Sequence, residues 1–171
     1  VKDEYGYYDV QNALAGIQVP LSEIHFCFQH TDSPWLRDMG PLVTRNASGH
    51  SLWFDAHVIR DGMKQRISAD ELPVHMVRSW NTELASTPLS LEGGMILCNG
   101  NGLILCASDA LARNLQLGLD RASFESELSR VAGAREIVFL EPLIGEATGH
   151  VDLFVSFVDA HNVVLGQYCD D

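Results

Sequence analysis

Met95-Ile96-Leu97-Cys98-Asn99-Gly100-Asn101-Gly102-Leu103-Ile104-Leu105-Cys106 sets two apolar runs around a turn-forming tetrapeptide. Asn-Gly between short hydrophobic runs is the strongest local signal for a β-hairpin. Working forward, Ser108-Asp109 offers an N-cap for a helix. A second helix is expected from Ser123-Phe124-Glu125-Ser126-Glu127-Leu128, with Ser123 and Ser126-Glu127 as capping material and Gly133 as its stop. Glu136–Leu140 reads as a strand. Strands from Val151 to Val158 and from Val163 to Tyr168 follow, joined by the turn Asp159-Ala160-His161-Asn162. The order hairpin, helix, strand, hairpin points to a ββαβ module repeated roughly every 60 residues.

Working backward, the same grammar is less clean. Residues 5–16 suit a helix ending near Gly16, and Ile24–Phe28 suits a strand. Leu42–Arg45 and Ser51–Ala56 read as strands joined by Asn46-Ala47-Ser48-Gly49. Residues 57–88 are the least regular. A short helix is expected near Asp70, a short strand at Val74-His75-Met76-Val77, and a polar loop up to Pro88. The fold class is therefore α/β, in one domain over residues 1–171.

The net charge of −12 argues against a nucleic-acid partner, which needs a basic face. It suits a cationic ligand, which an acidic surface attracts, and equally suits plain solubility. No apolar run approaches the ~20 residues that span a bilayer, so no membrane role is expected. The chain opens Val1-Lys2-Asp3-Glu4-Tyr5, without a methionine or an apolar leader, which points to a cut or processed end. Cys27, Cys98, Cys106 and Cys169 fit no zinc or redox spacing. Three of them lie in apolar stretches and suggest buried thiols, in a reducing compartment such as the cytoplasm.

Chemistry concentrates in three short segments. In Gly149-His150-Val151-Asp152, histidine and carboxylate are two apart at the start of the expected strand, which would put them on one face. In Pro34-Trp35-Leu36-Arg37-Asp38-Met39-Gly40-Pro41, a rigid loop sets Asp38 beside the Trp35 aromatic wall, an arrangement suited to a planar cation. In Leu91-Glu92-Gly93-Gly94, the glycines allow close approach of a ligand or of another backbone. A histidine beside carboxylates suits a general acid. Each segment alone also has an ordinary structural reading: a loop ion pair, a turn glutamate, a histidine at a strand start. A metal reading would need Asp38 or Glu92 to join His150 and Asp152; no metal is assigned.

Taken in order, the three segments make the chain resemble the agmatine deiminase and bacterial-type peptidyl-arginine deiminase family of guanidine-modifying enzymes. The likeness runs from about Ile24 onward and includes the Met95–Cys106 hairpin and the stretch Phe124–Tyr168. It implies a β/α propeller of ββαβ modules, the pentein fold, with about three of five modules present. It implies a small cationic guanidino substrate, agmatine or an arginine side chain, and no cofactor. By resemblance Asp38 and Asp152 would clamp the guanidinium, and Glu92 would hold it and orient His150. His150 would protonate the departing ammonia and then help activate water. Trp35, Arg37 and Gly93 would shape the substrate pocket.

Such enzymes attack the guanidinium carbon with a cysteine thiolate, forming a thiouronium intermediate. That nucleophile is expected far beyond the histidine, near the family's C-terminus, whereas this chain ends at Asp171. Cys169 does not match the nucleophile segment. Met95 and Leu153 stand where the family usually has polar residues. The expectation is thus a deiminase part that is inactive alone. A non-catalytic guanidinium-binding module, or a degenerate pentein, is the alternative. Apolar surface left by missing modules would also drive self-association.

Overall fold

The computed structural model describes residues 1, 3–29, 33–59 and 68–167. Strand β1 (Leu42–Arg45) pairs antiparallel with β2 (Ser51–His57), from Leu42 opposite Phe54 to Arg45 opposite Ser51. Helix α3 (Leu72–Trp80) leads to β3 (Leu84–Ser90), which lies parallel to β2. Next, β4 (Ile96–Cys98) pairs antiparallel with β5 (Leu103–Ala107). Helices α4 (Ser108–Gln116) and α5 (Arg121–Ala132) then lead to β6 (Glu136–Leu140), parallel to β5 from Leu103 opposite Glu136 to Ala107 opposite Leu140. A third hairpin, β7 (Val155–Phe157) and β8 (Val163–Leu165), opens the next repeat. The hairpins begin at Leu42, Ile96 and Val155, close to the period expected from the sequence. The described residues thus hold two complete modules and the opening hairpin of a third.

Ahead of them come α1 (Glu4–Gly16) and the one-turn helix α2 (Leu36–Met39). Ile24–Phe28, expected as a strand, belongs to no strand or sheet among the described residues. Val1 holds the segment through its amine on the Cys27 carbonyl at 2.8 Å, and Tyr7 of α1 packs on Phe26 with ring centroids 4.6 Å apart. The segment precedes Asp38 as β3 precedes Glu92 and β6 precedes His150. Two of the three chemistry-bearing segments therefore follow a strand.

The core lies where α4 and α5 cover the sheets. Phe124, Leu128 and Val131 line one helical face and pack with Leu89, Leu91, Met95 and Ile104. Asn114 of α4 ties the helix to β3: its Oδ1 accepts the Ser90 N–H at 2.9 Å, and its Nδ2 donates to the Ser90 carbonyl at 2.9 Å. This lock sits two residues before Glu92. Among the described residues no helix is long and apolar enough to cross a membrane.

Several local expectations are corrected. Val74–Val77 belongs to α3, not to a strand; Pro73 suits a first helical turn, and Asn81 closes the helix in the left-handed region at φ 48°. The polar stretch to Pro88 is β3 itself. Proline is tolerated there because β3 is the edge of its sheet and its register with β2 shifts between Asp55 and His57. Ser108 does not cap α4; its hydroxyl donates to Glu141 at 2.9 Å. The cap of α5 is Asp120, which accepts the Ser123 N–H at 2.7 Å, so the helix starts before Ser123. The strand expected over Val163–Tyr168 covers Val163–Leu165; Tyr168 and Cys169 lie outside the described residues.

Gly133 ends α5 at φ 67°, in the region that L side chains disfavour, with open space around it. Gly133→Ala is expected to cost about 1 kcal/mol in urea unfolding, purely from backbone strain. Gly133→Asn should cost less, because asparagine tolerates this conformation.

Candidate active site

Asp38 is carried by α2, one short turn after Trp35, and is 7% exposed. The turn is docked backbone to backbone. A Cβ on Gly93 would collide with the Arg37 carbonyl oxygen, and a Cβ on Gly40 would lie 2.7 Å from the Leu36 carbonyl. With Gly93 bare, the Gly94 N–H donates to Asp38 Oδ1 at 3.0 Å. The glycines of Glu92-Gly93-Gly94 therefore serve a close backbone approach.

His150 is not on a strand. Residues Val151–Leu153 form a 3-10 turn and β7 begins only at Val155, so strand alternation does not relate His150 to Asp152. The strand reading failed because an apolar run of this length does not distinguish a tight turn from a strand. What holds the segment is Glu146, a residue that sequence reasoning missed. Its carboxylate accepts the Thr148 hydroxyl and the N–H groups of Thr148, Gly149 and His150 at 2.8, 2.7 and 3.1 Å. Partial burial pushes this carboxyl up. The hydrogen bonds from Thr148, His150 and Gly149 outweigh that and hold it at about 2. The available signal was local: an acid two residues before a threonine in a glycine-containing loop.

A carboxyl held low in the folded state stabilises the fold at pH values above its unfolded range. That contribution is lost as pH falls from about 4.5 towards 2. After solvent screening it is expected to amount to about 1 kcal/mol. Glu146→Gln should flatten the acid limb of the stability–pH curve in that window, read by thermal unfolding from pH 2 to 7.

The three segments converge. His150 Nε2 lies 3.4 Å from Glu92 Oε2 and 3.9 Å from Asp38 Oδ1, with all three residues buried. That nitrogen makes no hydrogen bond, a costly condition for a buried polar atom unless a ligand satisfies it. The ring's other side packs on Gly94, where a Cβ would sit 2.5 Å from Nδ1. Glu92 is 1% exposed, and its Oε1 accepts from Arg113 Nη1 of α4 at 2.8 Å. Arg113 is a second residue the sequence did not single out. Asp152 stands apart from the trio and pairs through Oδ2 with Arg37 Nε at 2.7 Å. Trp35 is 65% exposed.

Chemically, the trio offers two carboxylates and one imidazole nitrogen to a small planar cation bearing several N–H donors. One atom from each of the three lies within 4.8 Å of the others. The Arg113 guanidinium already compensates Glu92, which disfavours a divalent ion there and leaves room for a singly charged organic cation.

The family model for the Porphyromonas-type peptidyl-arginine deiminase matches residues 1–171. The chain belongs to this deiminase family. Agmatine deiminase of Pseudomonas fluorescens is 30% identical over 175 residues, covering 94% of this chain and 46% of that protein. Two solved structures share the fold. Agmatine deiminase of Enterococcus faecalis has a TM-score of 0.75 at 24% identity, over 95% of this chain and 47% of its own. A cysteine-to-serine variant of C. jejuni agmatine deiminase with substrate bound has a TM-score of 0.71 at 23% identity, over 90% and 47%. The chain spans about half the length of the curated relatives it matches. Its fold class is accordingly α/β, part of a pentein-type β/α propeller.

Within this deiminase-family chain, Cys106 is fully buried and burial pushes its thiol up to about 12. A thiol in that state is no thiolate nucleophile.

Proposed function

We propose that this chain forms the guanidinium-binding and proton-handling part of a guanidino-compound deiminase. The reaction is hydrolysis of agmatine, or of an arginine side chain, to a ureido product and ammonia. The observation that carries the reading is the buried Asp38–Glu92–His150 cluster with an unsatisfied His150 Nε2.

In this reading the substrate guanidinium donates to the Asp38 and Glu92 carboxylates as charge-assisted hydrogen bonds. Asp152 contributes the carboxylate oxygen that Arg37 leaves open, and Trp35 and Gly93 border the entry. A cysteine thiolate, supplied by the part of the family's length that this chain does not span, attacks the guanidinium carbon. His150 gives a proton to the departing nitrogen, which leaves as ammonia. Water then adds to the thiouronium carbon with His150 as base, releasing the ureido product and the thiol. Support for a cysteine comes from the C. jejuni relative, whose substrate-bound form carries a cysteine-to-serine exchange.

The test is an ammonia assay on an enzyme that carries this chain within the family's full length. Agmatine, an arginyl peptide and free arginine are offered in turn. Release from at least one is expected. A folded enzyme that releases none from any of them contradicts the reading.

A further inference from the structure

Arg37 touches all three segments of the site. A Cβ on Gly93 would collide with the Arg37 carbonyl and would lie 3.1 Å from its Cγ, so backbone and stem both rest on that glycine. Its Nε reaches Oδ2 of Asp152, on the 3-10 turn that follows His150, at 2.7 Å. The next residue is Asp38, whose Oδ1 lies 3.9 Å from His150 Nε2. Among the described residues Arg37 is the ion-pair partner of Asp152, and the other carboxylate oxygen is left open. The Asp152 side chain is 23% exposed, so without a partner it turns to water.

We propose that Arg37 is a positioning residue: it holds Asp152 in the orientation that receives the guanidinium and does not itself touch the substrate. The sign of its charge supports this. A cation beside a cationic ligand repels it, so direct contact would cost affinity. Acting through a carboxylate avoids that cost. Arg37 occupies Oδ2, leaves Oδ1 for the ligand, and fixes the Asp152 side chain before the ligand arrives. Loss of Arg37 thus has two opposed effects: less repulsion tightens binding, and a freed Asp152 weakens it. The Arg37 side chain is 56% exposed, so water and salt screen its charge and the loss of orientation dominates.

The role rests on the deiminase reading, which makes Asp152 a guanidinium ligand. Its test reads equilibrium binding rather than turnover. An enzyme that binds guanidinium through Asp152 but releases no ammonia fails that reading alone. One that releases ammonia with Arg37 irrelevant to binding fails the positioning role alone.

The experiment titrates an enzyme carrying this chain with guanidinium chloride, far below denaturing concentrations, followed by nuclear magnetic resonance at fixed pH and ionic strength. Guanidinium has neither an amine nor a carboxylate tail, so the titration reads the clamp alone. Arg37→Met keeps the stem on Gly93 and removes the charge; its dissociation constant is expected to rise about tenfold. Arg37→Lys keeps a cation for Asp152 and should stay within about threefold of native. In an Asp152→Asn background, Arg37→Met should change binding by less than about twofold, because nothing is left to position. Binding by folded Arg37→Met as tight as native, or tighter, overturns the proposal. An equal rise in both backgrounds overturns it too, since the effect then bypasses Asp152. Should Arg37→Met not fold, Asp152→Asn alone decides: a rise of about tenfold supports the proposal, and unchanged binding overturns it.

Discussion

Replacing His150 by glutamine, in an enzyme that carries this chain, should slow ammonia release about a thousandfold while leaving the fold intact. The activity loss follows from removing the only titratable nitrogen in the buried cluster. A departing amide-like nitrogen is a poor leaving group until protonated, and glutamine cannot deliver a proton at neutral pH. The stability side is equally specific. Glutamine at position 150 keeps a polar amide beside the Glu92 and Asp38 carboxylates, which lie 3.4 and 3.9 Å from Nε2, so neither is left facing an apolar group. The His150 backbone N–H keeps its bond to Glu146. Urea unfolding of His150→Gln should therefore stay within about 1 kcal/mol of the native protein. Activity within tenfold of native would show that another group supplies the proton.

Gly93→Ala is expected to have the largest structural effect. Its new methyl would collide with the Arg37 carbonyl oxygen, a backbone atom that no rotamer change can move. Helix α2 must back away. The Gly94–Asp38 hydrogen bond and the Arg37–Asp152 ion pair then move together, because α2 carries both Arg37 and Asp38. A destabilisation of about 3 kcal/mol is expected from such overpacking, with loss of most activity even where the variant folds. Gly16→Ala is the matched control. Gly16 ends α1, has nothing within 4 Å, and shows no left-handed φ, so alanine should be neutral or slightly stabilising there. Equal effects at the two positions would refute the docking argument.

The repeat was legible because its signals are local. Asn-Gly marked the β4–β5 hairpin, and Gly133 marked the end of α5. The expected period emerged from that one clean module. Residues 57–88 misled because their structure is decided by neighbours. Val74–Val77 carries β-branched residues, yet Leu72, Met76 and Trp80 repeat every fourth position along α3. Pro88 argued for a loop, although an irregular edge strand tolerates it. The candidate site shows the same division. Asp38, Glu92 and His150 stood out by residue type but were joined into one site only by the family resemblance; the structure brings them together over long range. Glu146 and Arg113 were not found. The first acts through backbone N–H groups that only a folded loop points inward. The second reaches Glu92 across 21 residues of chain by way of α4. Asp152 was read on the wrong geometry, since a 3-10 turn replaces the strand that was to align it with His150.

The central claim is that the buried trio receives a guanidinium. A crystal structure of an enzyme carrying this chain, with a guanidino compound bound, tests it most directly. The prediction places guanidinium nitrogens about 3 Å from the carboxylates of Asp38 and Glu92, with His150 Nε2 beside the departing nitrogen. A guanidinium bound elsewhere, with His150 Nε2 still unpartnered among Asp38 and Glu92, would contradict it.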